Sequence, residues 1–250
     1  MSYNVFSLFY DTFTTDVEYK ERAEYILRLF SKFDRKPTLM LDLACGTGNF
    51  SAEFAKKGIE VIGVDMSEDM LAVANEKNAE LSKPVMYLCQ RAEELELYGT
   101  VDGAVCLLDS LNHITDYEAF KTAIAKTALF LEPERLFIFD LNTIYKHREI
   151  LSNNCFKMRK RGVSCIWTNT YNDSDNSVQV RLDFIARSSL FKKEYYSEEF
   201  TERAYSEDLV LNAINEAGLE LLAVYGENTE EPPKDNSQRN VYITRRLKNG

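Results

Sequence analysis

Two glycines separated by one residue interrupt an apolar stretch in the first fifth of the chain. Residues 38–43 are short and apolar enough to form a buried strand, and Gly46 and Gly48 follow them. Asn49 then stands at a favourable N-cap position for a helix. Because glycine has no Cβ, a strand–turn–helix junction of this kind lets the main chain approach a ligand closely. The spacing therefore predicts a ligand-binding turn at the end of the first strand.

A second apolar run, residues 61–64, ends at Asp65. A carboxylate at the tip of the strand beside such a turn is well placed to accept hydrogen bonds from both hydroxyls of a ribose. The same position also suits a carboxylate that caps the following helix. The first interpretation predicts a site for a nucleoside-bearing cofactor.

The elements that position these residues follow from the apolar pattern. Short apolar runs alternate with helical periods along most of the chain, which is typical of an α/β fold with a parallel sheet and helices on both faces. The predicted strands of this part are residues 38–43, 60–65, 85–89, 101–108 and 136–140. Two more strands, at 219–225 and 240–244, have no helix between them, so they either pair antiparallel or leave the sheet.

The pattern changes between residues 154 and 202. Apolar residues alternate with polar ones at 163–171 and 178–186, and 191–200 is a third candidate strand. This pattern predicts a small antiparallel β insertion with one buried face. Four segments are therefore expected: an N-terminal helical arm or lid (1–36), a cofactor-binding α/β core (37–153), the β insertion that covers the substrate site (154–202) and the end of the α/β core (203–250).

The first 15 residues carry five aromatic side chains, more than a loose tail would show. They are Tyr3, Phe6, Phe9, Tyr10 and Phe13. Two interpretations stay open, an arm packed against the body and a lid over the cofactor site. The sequence does not indicate the oligomeric state. It also leaves open whether the arm closes its own site or that of a partner chain.

The totals exclude several classes of protein. A net charge of −10 argues against broad, non-specific nucleic-acid binding, and the one dense basic run, residues 157–161, is interpreted as a solvated loop. Five cysteines without a C-x-x-C pair or a metal-binding spacing favour small core residues, no metal site and a reducing cytoplasm. The chain opens without a basic, apolar signal, and no apolar run approaches ~18 residues, so we expect a cytoplasmic protein outside the membrane.

Asp42, Ala44, Gly46 and Gly48 fit the pattern Asp-x-Ala/Gly-x-Gly-x-Gly. This pattern resembles the first motif of the class I S-adenosylmethionine-dependent methyltransferases. Further segments that resemble the motifs of this family follow in the same order, at residues 64–67, 91–95 and 102–112, and the terminal helix–strand–loop–strand is similar to its reversed last hairpin. The segment Tyr10-Asp11-x-Phe13 resembles a small-molecule-type branch of the family.

The resemblance covers nearly the whole chain except residues 154–202. It implies a doubly wound, seven-stranded, mostly parallel Rossmann-like sheet whose last strand is antiparallel. A nicotinamide-binding Rossmann protein is the rival interpretation, but its fingerprint has a third glycine where this chain has Ser51. A dinucleotide also brings a pyrophosphate, whereas S-adenosylmethionine has none.

The resemblance also implies cofactor-binding roles for individual residues. Ala44 and Gly46 would line the methionine portion with main chain, and Gly48 would keep the turn open. Asp65 would bind the ribose. The remaining expected positions are Met66 on the adenine face, Ala92 at the adenine edge, Leu107 with a carbonyl for the ammonium, and Tyr10 closing over the carboxylate or sulfonium. For Met66 and Leu107, plain core packing is the alternative.

The segment after the fourth strand, residues 109–113, lacks an Asn-Pro-Pro-Tyr clamp and a Pro-Cys nucleophile. This disfavours exocyclic amide targets and covalent pyrimidine chemistry. His113 is a candidate general base with a suitable pKa, or else a hydrogen-bonded wall residue. Asn112 is a candidate for orienting the substrate, and His147 is interpreted as a surface group. In the insertion, Trp167, Tyr196 and Arg181 are candidates for the wall of an amphipathic or anionic acceptor site, with sheet packing as the alternative for the aromatic residues.

Three functions remain open from the sequence. The first is methylation of an N or O atom of a small molecule, mainly by positioning. The second is methylation of a modified tRNA base, which requires residues 157–161 to form one basic patch with Arg181 or Arg239. The third is a protein that binds S-adenosylmethionine or S-adenosylhomocysteine without catalysis. The identity of the acceptor and the need for a general base are not decided by the sequence.

Overall fold

The structure is a computed structural model that describes residues 4–187 and 193–248, with the side chains of residues 4–6 and 8 outside the description. Tyr3 and Phe191, which entered the predictions above, therefore lie outside the described residues, as does the side chain of Phe6. The helices are α1 (Asn4–Phe13), α2 (Tyr19–Phe33), α3 (Asn49–Lys56), α4 (Glu68–Asn78), α5 (Tyr117–Phe130) and α6 (Glu207–Glu216).

Eleven strands are described. They are β1 (Leu39–Leu43), β2 (Glu60–Asp65), β3 (Met86–Cys89), β4 (Gly103–Cys106), β5 (Leu136–Asn142), β6 (Cys155–Lys160), β7 (Val163–Asn172), β8 (Ser177–Arg187), β9 (Lys193–Arg203), β10 (Leu219–Gly226) and β11 (Arg239–Arg246). Short 3₁₀ turns span Ala92–Glu94 and Ser110–His113, and a π-helical turn spans Lys146–Leu151.

Seven strands form the main sheet, in the order β10-β11-β5-β4-β1-β2-β3. Strand β1 pairs in parallel with β2 and β4, while β11 runs antiparallel to both β5 and β10. The predicted doubly wound, mostly parallel sheet with a reversed last strand is therefore confirmed. Both faces are buried: along β5, Phe137 and Phe139 pack in one core, and Leu136 and Ile138 pack in the other.

The insertion forms a separate antiparallel sheet in the order β6-β7-β8-β9, which confirms its type but adds a strand to the three predicted. The basic run at 157–161, interpreted as a loop, instead lies mostly in β6. The prediction was wrong because Phe156 and Met158 alternate with the charged residues of this run. These two residues pair with Trp167 and Cys165 of β7, on the face that carries the small apolar core of the insertion.

The N-terminal helix α1 joins the two sheets. On one side, Phe9 stacks on Phe184 of β8, with the ring centroids 4.8 Å apart. On the other side, Asp11 accepts hydrogen bonds from Thr47 Oγ1 at 2.7 Å and from Asn49 Nδ2 at 2.9 Å. Asn49 is the first residue of α3 and its side chain serves Asp11, so its predicted role as N-cap was wrong.

Candidate functional site

A cavity of about 680 Å³ lies between the carboxyl ends of the main-sheet strands and the inner face of the insertion sheet. This volume falls within the range of roughly 300–1,000 Å³ that is typical of small-molecule sites. Ala44 and Asp65 line it from the ends of β1 and β2, Tyr10 lines it from α1, and Trp167 and Leu182 line it from the insertion. The edge of the main sheet, α1 and the insertion thus line one chamber.

The glycine turn needs its glycines for two different reasons. Gly46 and Gly48 have φ values of 55° and 73°, in the left-handed region that favours glycine. A Cβ built on Gly46 meets nothing within 4 Å, and Gly46 lines the cavity, so its main chain is open to a ligand. A Cβ on Gly48 would collide with the side chain of Tyr87. Gly48 lies outside the cavity lining and shapes the turn.

Asp65 lies at the cavity wall and is tied to the turn. Its Oδ2 accepts a hydrogen bond from the Gly46 N–H at 2.8 Å, and its Oδ1 accepts one from the Ser67 N–H at 2.9 Å. Burial raises the pKa of Asp65 above its ordinary value, although the main-chain N–H groups of Ser67 and Gly46 oppose this. Each oxygen of an ionised carboxylate has a second lone pair, so Asp65 keeps the capacity to accept two further hydrogen bonds.

Most of the expected cofactor residues meet in the same chamber. Besides Asp65, the lining includes Tyr10, Ala44, Gly46, Met66 and Ala92. Leu107 borders a smaller pocket that adjoins it and shares Tyr10, Ala44 and Gly46. The carbonyl of Leu107 already accepts a hydrogen bond from Ser110 Oγ at 2.8 Å. Burial and the neighbouring Tyr19 raise the pKa of Tyr10 well above its ordinary value, so its phenol stays neutral.

The loop after β4 is held in an uncommon conformation by buried charges. Leu108 and Asp109 have φ values of 56° and 55°, and Asp140 accepts hydrogen bonds from both of their N–H groups, at 2.9 and 2.6 Å. Arg239 Nη2 donates to Asp109 Oδ1 at 2.6 Å, and its Nε lies 3.7 Å from Asp140 Oδ1. Sequence reasoning missed this cluster, because β5 and β11 bring its members together from distant parts of the chain.

His113, the candidate base, lines the cavity from the turn after β4. Its Nε2 is 3.6 Å from Oε1 of Glu202, and its ring lies against Phe200 with the centroids 5.0 Å apart. His147, interpreted as a surface group, is instead completely buried, with Nε2 3.6 Å from Glu202 Oε2 and Nδ1 3.0 Å from the Asn176 carbonyl. That interpretation was wrong because the π-helical turn folds under β8 and β9.

Glu202 was missed entirely. It is a buried acid on β9, and it faces inward with Phe200 two residues before it. The sequence does place Glu202 two residues after Phe200, so the two side chains share one face of the strand. This position becomes informative once that face is known to point inward.

The expected substrate contact of Asn112 is contradicted by its position. Asn112 is completely buried outside the cavity lining, and its amide donates to the carbonyls of Asn142 and Arg203 at 3.3 and 2.8 Å. Its Oδ1 accepts a hydrogen bond from the Asn142 N–H at 2.9 Å. Asn112 therefore connects the turn after β4 to β5 and β9, which leaves its amide no role at the acceptor.

Of the three residues that the insertion was expected to contribute, Trp167 lines the cavity. Tyr196 is on the same face but lies outside the cavity lining, packed against Phe9 with its hydroxyl donating to Glu194 at 2.7 Å. Arg181 is on the opposite, solvent-exposed face, where it pairs with Asp183 and Glu199. The expectations for Tyr196 and Arg181 as acceptor-site residues were wrong. Tyr196 packs against α1 instead of lining the cavity, and Arg181 faces the side of β8 opposite to that of Leu182.

The charges of the residues that line the chamber fit a cationic nucleoside better than a dinucleotide. Three arginines line the chamber, and each is already paired with an acid: Arg22 with Glu227, Arg91 with Glu93, and Arg239 with Asp109. A diphosphate would bring further negative charge beside the carboxylates of Asp65 and Asp109, which line the same chamber. A sulfonium and an ammonium, in contrast, are favoured by the carboxylates around it, and the open space over Gly46 admits a ligand against the main chain.

Two further observations concern the described residues as a set. They contain no group of three or more His, Cys, Asp or Glu side chains arranged to hold a metal ion. Along the same described ranges, no helix combines the length and the apolar character that a membrane span requires.

Comparisons with known proteins agree with this geometry. Residues 40–134 match the family model described as "Methyltransferase domain". A protein of Geobacillus sp. strain WCH70 that is named as a methyltransferase is 27% identical over 98% of this chain and 100% of its own length. The crystal structure of an S-adenosylmethionine-dependent methyltransferase from Clostridium acetobutylicum superposes with a TM-score of 0.87 at 29% identity, covering 98% of this chain and 99% of that one.

A third likeness extends over the fold alone. The structure of an amino pentose methyltransferase from Micromonospora echinaspora with S-adenosylmethionine bound has a TM-score of 0.73 at 17% identity, and 92% of each chain is covered.

Proposed function

Because this chain is a class I S-adenosylmethionine-dependent methyltransferase, we propose that it methylates an N or O atom of a small molecule. The observation that carries the proposal is the aromatic wall of the cavity on the side of the insertion. Phe13 of α1, Trp167 and Phe184 of the insertion and Phe200 of β9 form this wall. A cavity of about 680 Å³ with such a wall suits a compact acceptor, and the aromatic rings keep water from the reacting atoms on that side.

The cofactor would lie along the strand ends. Asp65 would accept the ribose hydroxyls, Met66 and Ala92 would border the adenine, and the main chain of Ala44 and Gly46 would face the methionine portion. When bound, S-adenosylmethionine supplies a methyl group on an electrophilic sulfonium. Tyr10, neutral and held over the turn by α1, would close this part of the chamber against solvent.

Where the acceptor would bind, the residues of this chain would position the nucleophile and accept its proton. His113 lines the chamber beside Glu202, and an imidazole there accepts the proton that an amine or hydroxyl nucleophile loses. Glu202 then faces an imidazolium, whose charge it stabilises. Most of the rate acceleration would still come from the positioning of the acceptor.

The amino pentose methyltransferase with the similar fold supports a small acceptor, since its name states a sugar-sized substrate. The free thiols of all five cysteines support a reducing, cytoplasmic location.

The tRNA alternative receives less support. Lys157, Arg159 and Arg181 do share the outer face of the insertion sheet, but Asp183 and Glu199 neutralise Arg181 there. Arg239 is buried and paired with Asp109, so it adds nothing to a basic surface. A non-catalytic binding protein shares the cofactor turn, and only a transfer assay separates it from an enzyme.

Two measurements test the proposal. Calorimetric titration with S-adenosylmethionine, with NAD as the control, tests the cofactor site; binding of NAD alone would overturn it. A labelled-methyl assay over small metabolites, tRNA and cell protein then tests the acceptor class. Label in small molecules is the expected result, label in tRNA alone contradicts it, and no transfer to any acceptor would favour the non-catalytic binding protein.

A further inference from the structure

Glu202 is an unusual wall residue for an aromatic chamber. Among the described residues of β6–β9, it is the one acidic side chain in the cavity lining. The same wall carries Phe200, Trp167 and Phe184 along its length, and Glu202, at the end of the wall where Phe200 lies, is only 5% exposed. A carboxylate removed from water is costly unless a partner compensates it, so its presence requires an explanation.

The protein satisfies one oxygen of Glu202 better than the other. Oε2 accepts a hydrogen bond from Asn142 Nδ2 at 3.3 Å, and His147 Nε2 lies 3.6 Å from the same oxygen. On the cavity side, the contact of Oε1 is His113 Nε2 at 3.6 Å, which is longer than a hydrogen bond. Oε1 therefore keeps the capacity to accept a hydrogen bond from a donor that enters beside His113.

Glu202 carries its charge at neutral pH. Burial raises the pKa of Glu202, but His147, His113 and Lys146 outweigh burial and lower this pKa to about 2. The carboxylate is thus an acceptor of hydrogen bonds and cannot donate one.

The charged groups behind Glu202 leave the acceptor end negative. Arg239 faces three carboxylates, those of Asp109, Asp140 and Glu227. Arg22 shares Glu227 with it, and Lys146 donates to Asn142 at 2.8 Å. With Glu202, four carboxylates of the described chain meet three permanent cations here, so while His113 and His147 are neutral a positively charged acceptor group balances the cluster.

We propose that Glu202 is the acceptor-recognition residue and that the group it binds, between its Oε1 and His113, is the amino group of an otherwise apolar acceptor. The inference rests on the proposed small-molecule methyl transfer and narrows it to a nitrogen nucleophile. An ammonium offers the positive charge and up to three donors, whereas a hydroxyl offers one donor and no charge. The ring of Phe200, which lies against His113, adds a face that attracts cations.

Calorimetric binding in the presence of S-adenosylhomocysteine tests this without any methyl transfer. The probes are phenethylamine and 2-phenylethanol, with further amine–alcohol pairs on alkyl and sugar skeletons. The expected result is that the wild-type protein binds amines at least about 10-fold more tightly than the matching alcohols. Glu202→Gln abolishes that preference and Glu202→Asp, which keeps the charge, retains part of it.

Glu199→Gln is the matched control, because Glu199 lies on the same strand but faces solvent, where it pairs with Arg181. It should leave the preference unchanged. Affinity for S-adenosylhomocysteine and the melting temperature report whether each variant is folded. Equal binding of amines and alcohols, no binding of any amine, or an unchanged preference in folded Glu202→Gln would each overturn the inference.

The outcome is separable from that of the proposed function. Selective amine binding without label transfer would support the role of Glu202 and contradict the proposed methyl transfer. Label transfer to hydroxyl compounds alone would support the proposed methylation of small molecules and contradict the inference that the acceptor group is an amine.

Discussion

Asp11 of α1 and Lys77 of α4 form an ion pair in which Oδ2 and Nζ are 2.5 Å apart. The other oxygen of Asp11 accepts hydrogen bonds from Thr47 and Asn49 at the start of α3. Tyr10, the preceding residue, lines the cavity. The N-terminal helix is therefore fastened beside the glycine turn, and one of its residues reaches the expected cofactor site.

The first prediction concerns this fastening. Asp11→Ala removes the ion pair and two hydrogen bonds from a half-exposed side chain, which together stabilise the closed arm by about 1 kcal/mol. S-adenosylmethionine should then dissociate about 5-fold faster, measured by stopped-flow fluorescence or ligand exchange. Glu24→Ala is the control, since Glu24 pairs with Lys57 away from the cavity. An unchanged dissociation rate would mean that α1 does not gate the cofactor.

The second prediction separates the two glycines of the turn. Alanine at either position is strained at positive φ by about 1–2 kcal/mol. Gly48→Ala also collides with Tyr87, so its free energy of unfolding in urea should fall further than that of Gly46→Ala. Gly46→Ala projects a methyl group into the open cavity and should weaken S-adenosylmethionine binding instead. Gly99→Ala, where the space is open and φ is ordinary, serves as the neutral control. Equal effects at both glycines would contradict this division.

The third prediction uses the buried acid of β1. Burial raises the pKa of Asp42 to about 7, and its Oδ2 accepts a hydrogen bond from Ser51 Oγ at 2.5 Å. The folded state therefore holds a proton that the unfolded state releases above about pH 4, so this residue lowers stability as the pH rises from about 4 to 7.

Asp42→Asn stays neutral and keeps an oxygen for Ser51. The free energy of unfolding of Asp42→Asn, relative to that of wild type, should increase from pH 5 to pH 8. The increase is up to about 1.4 kcal/mol per pH unit below pH 7. Urea denaturation at the two pH values measures the difference, with Asp173→Asn in an exposed turn as the control. Parallel pH dependence in wild type and Asp42→Asn would refute the assignment.

The fourth prediction tests His113 as the proton acceptor. Once an acceptor is identified, His113→Ala should reduce kcat by about 10²–10⁴-fold, the usual contribution of a general base. Affinity for S-adenosylmethionine, measured by calorimetric titration, should stay nearly constant, because the expected cofactor contacts come from Asp65 and the main chain of Ala44 and Gly46. A kcat within about 3-fold of wild type would show that positioning alone suffices.

The fifth prediction compares two ion-paired arginines. Arg239→Ala leaves Asp109 and Asp140 buried without their cation and should cost about 3–5 kcal/mol in the free energy of unfolding. Arg181→Ala removes exposed pairs and should cost about 0–1 kcal/mol. Urea titration of both variants measures the contrast, and similar losses would mean that the buried cluster is not structural.

The main sheet and the cofactor turn could be predicted from the sequence because neighbouring residues specify them. The two glycines follow a short apolar run directly, and Asp65 ends the next one, so the parallel sheet brings both to the same edge. The reversed last strand was likewise evident from two strands with no helix between them and from the resemblance of the terminal hairpin.

The acceptor end depended on contacts between distant parts of the chain. Alternation along β8 distinguishes Arg181 from Leu182, but only packing shows that Leu182 faces the cavity. Asn112 and His113 are adjacent, yet one is bonded inside the core and the other reaches the chamber. Local spacing determines which element a residue belongs to. Which side of that element is buried, and beside which charge, is decided when β9 places Glu202 between two histidines that are far from it in sequence.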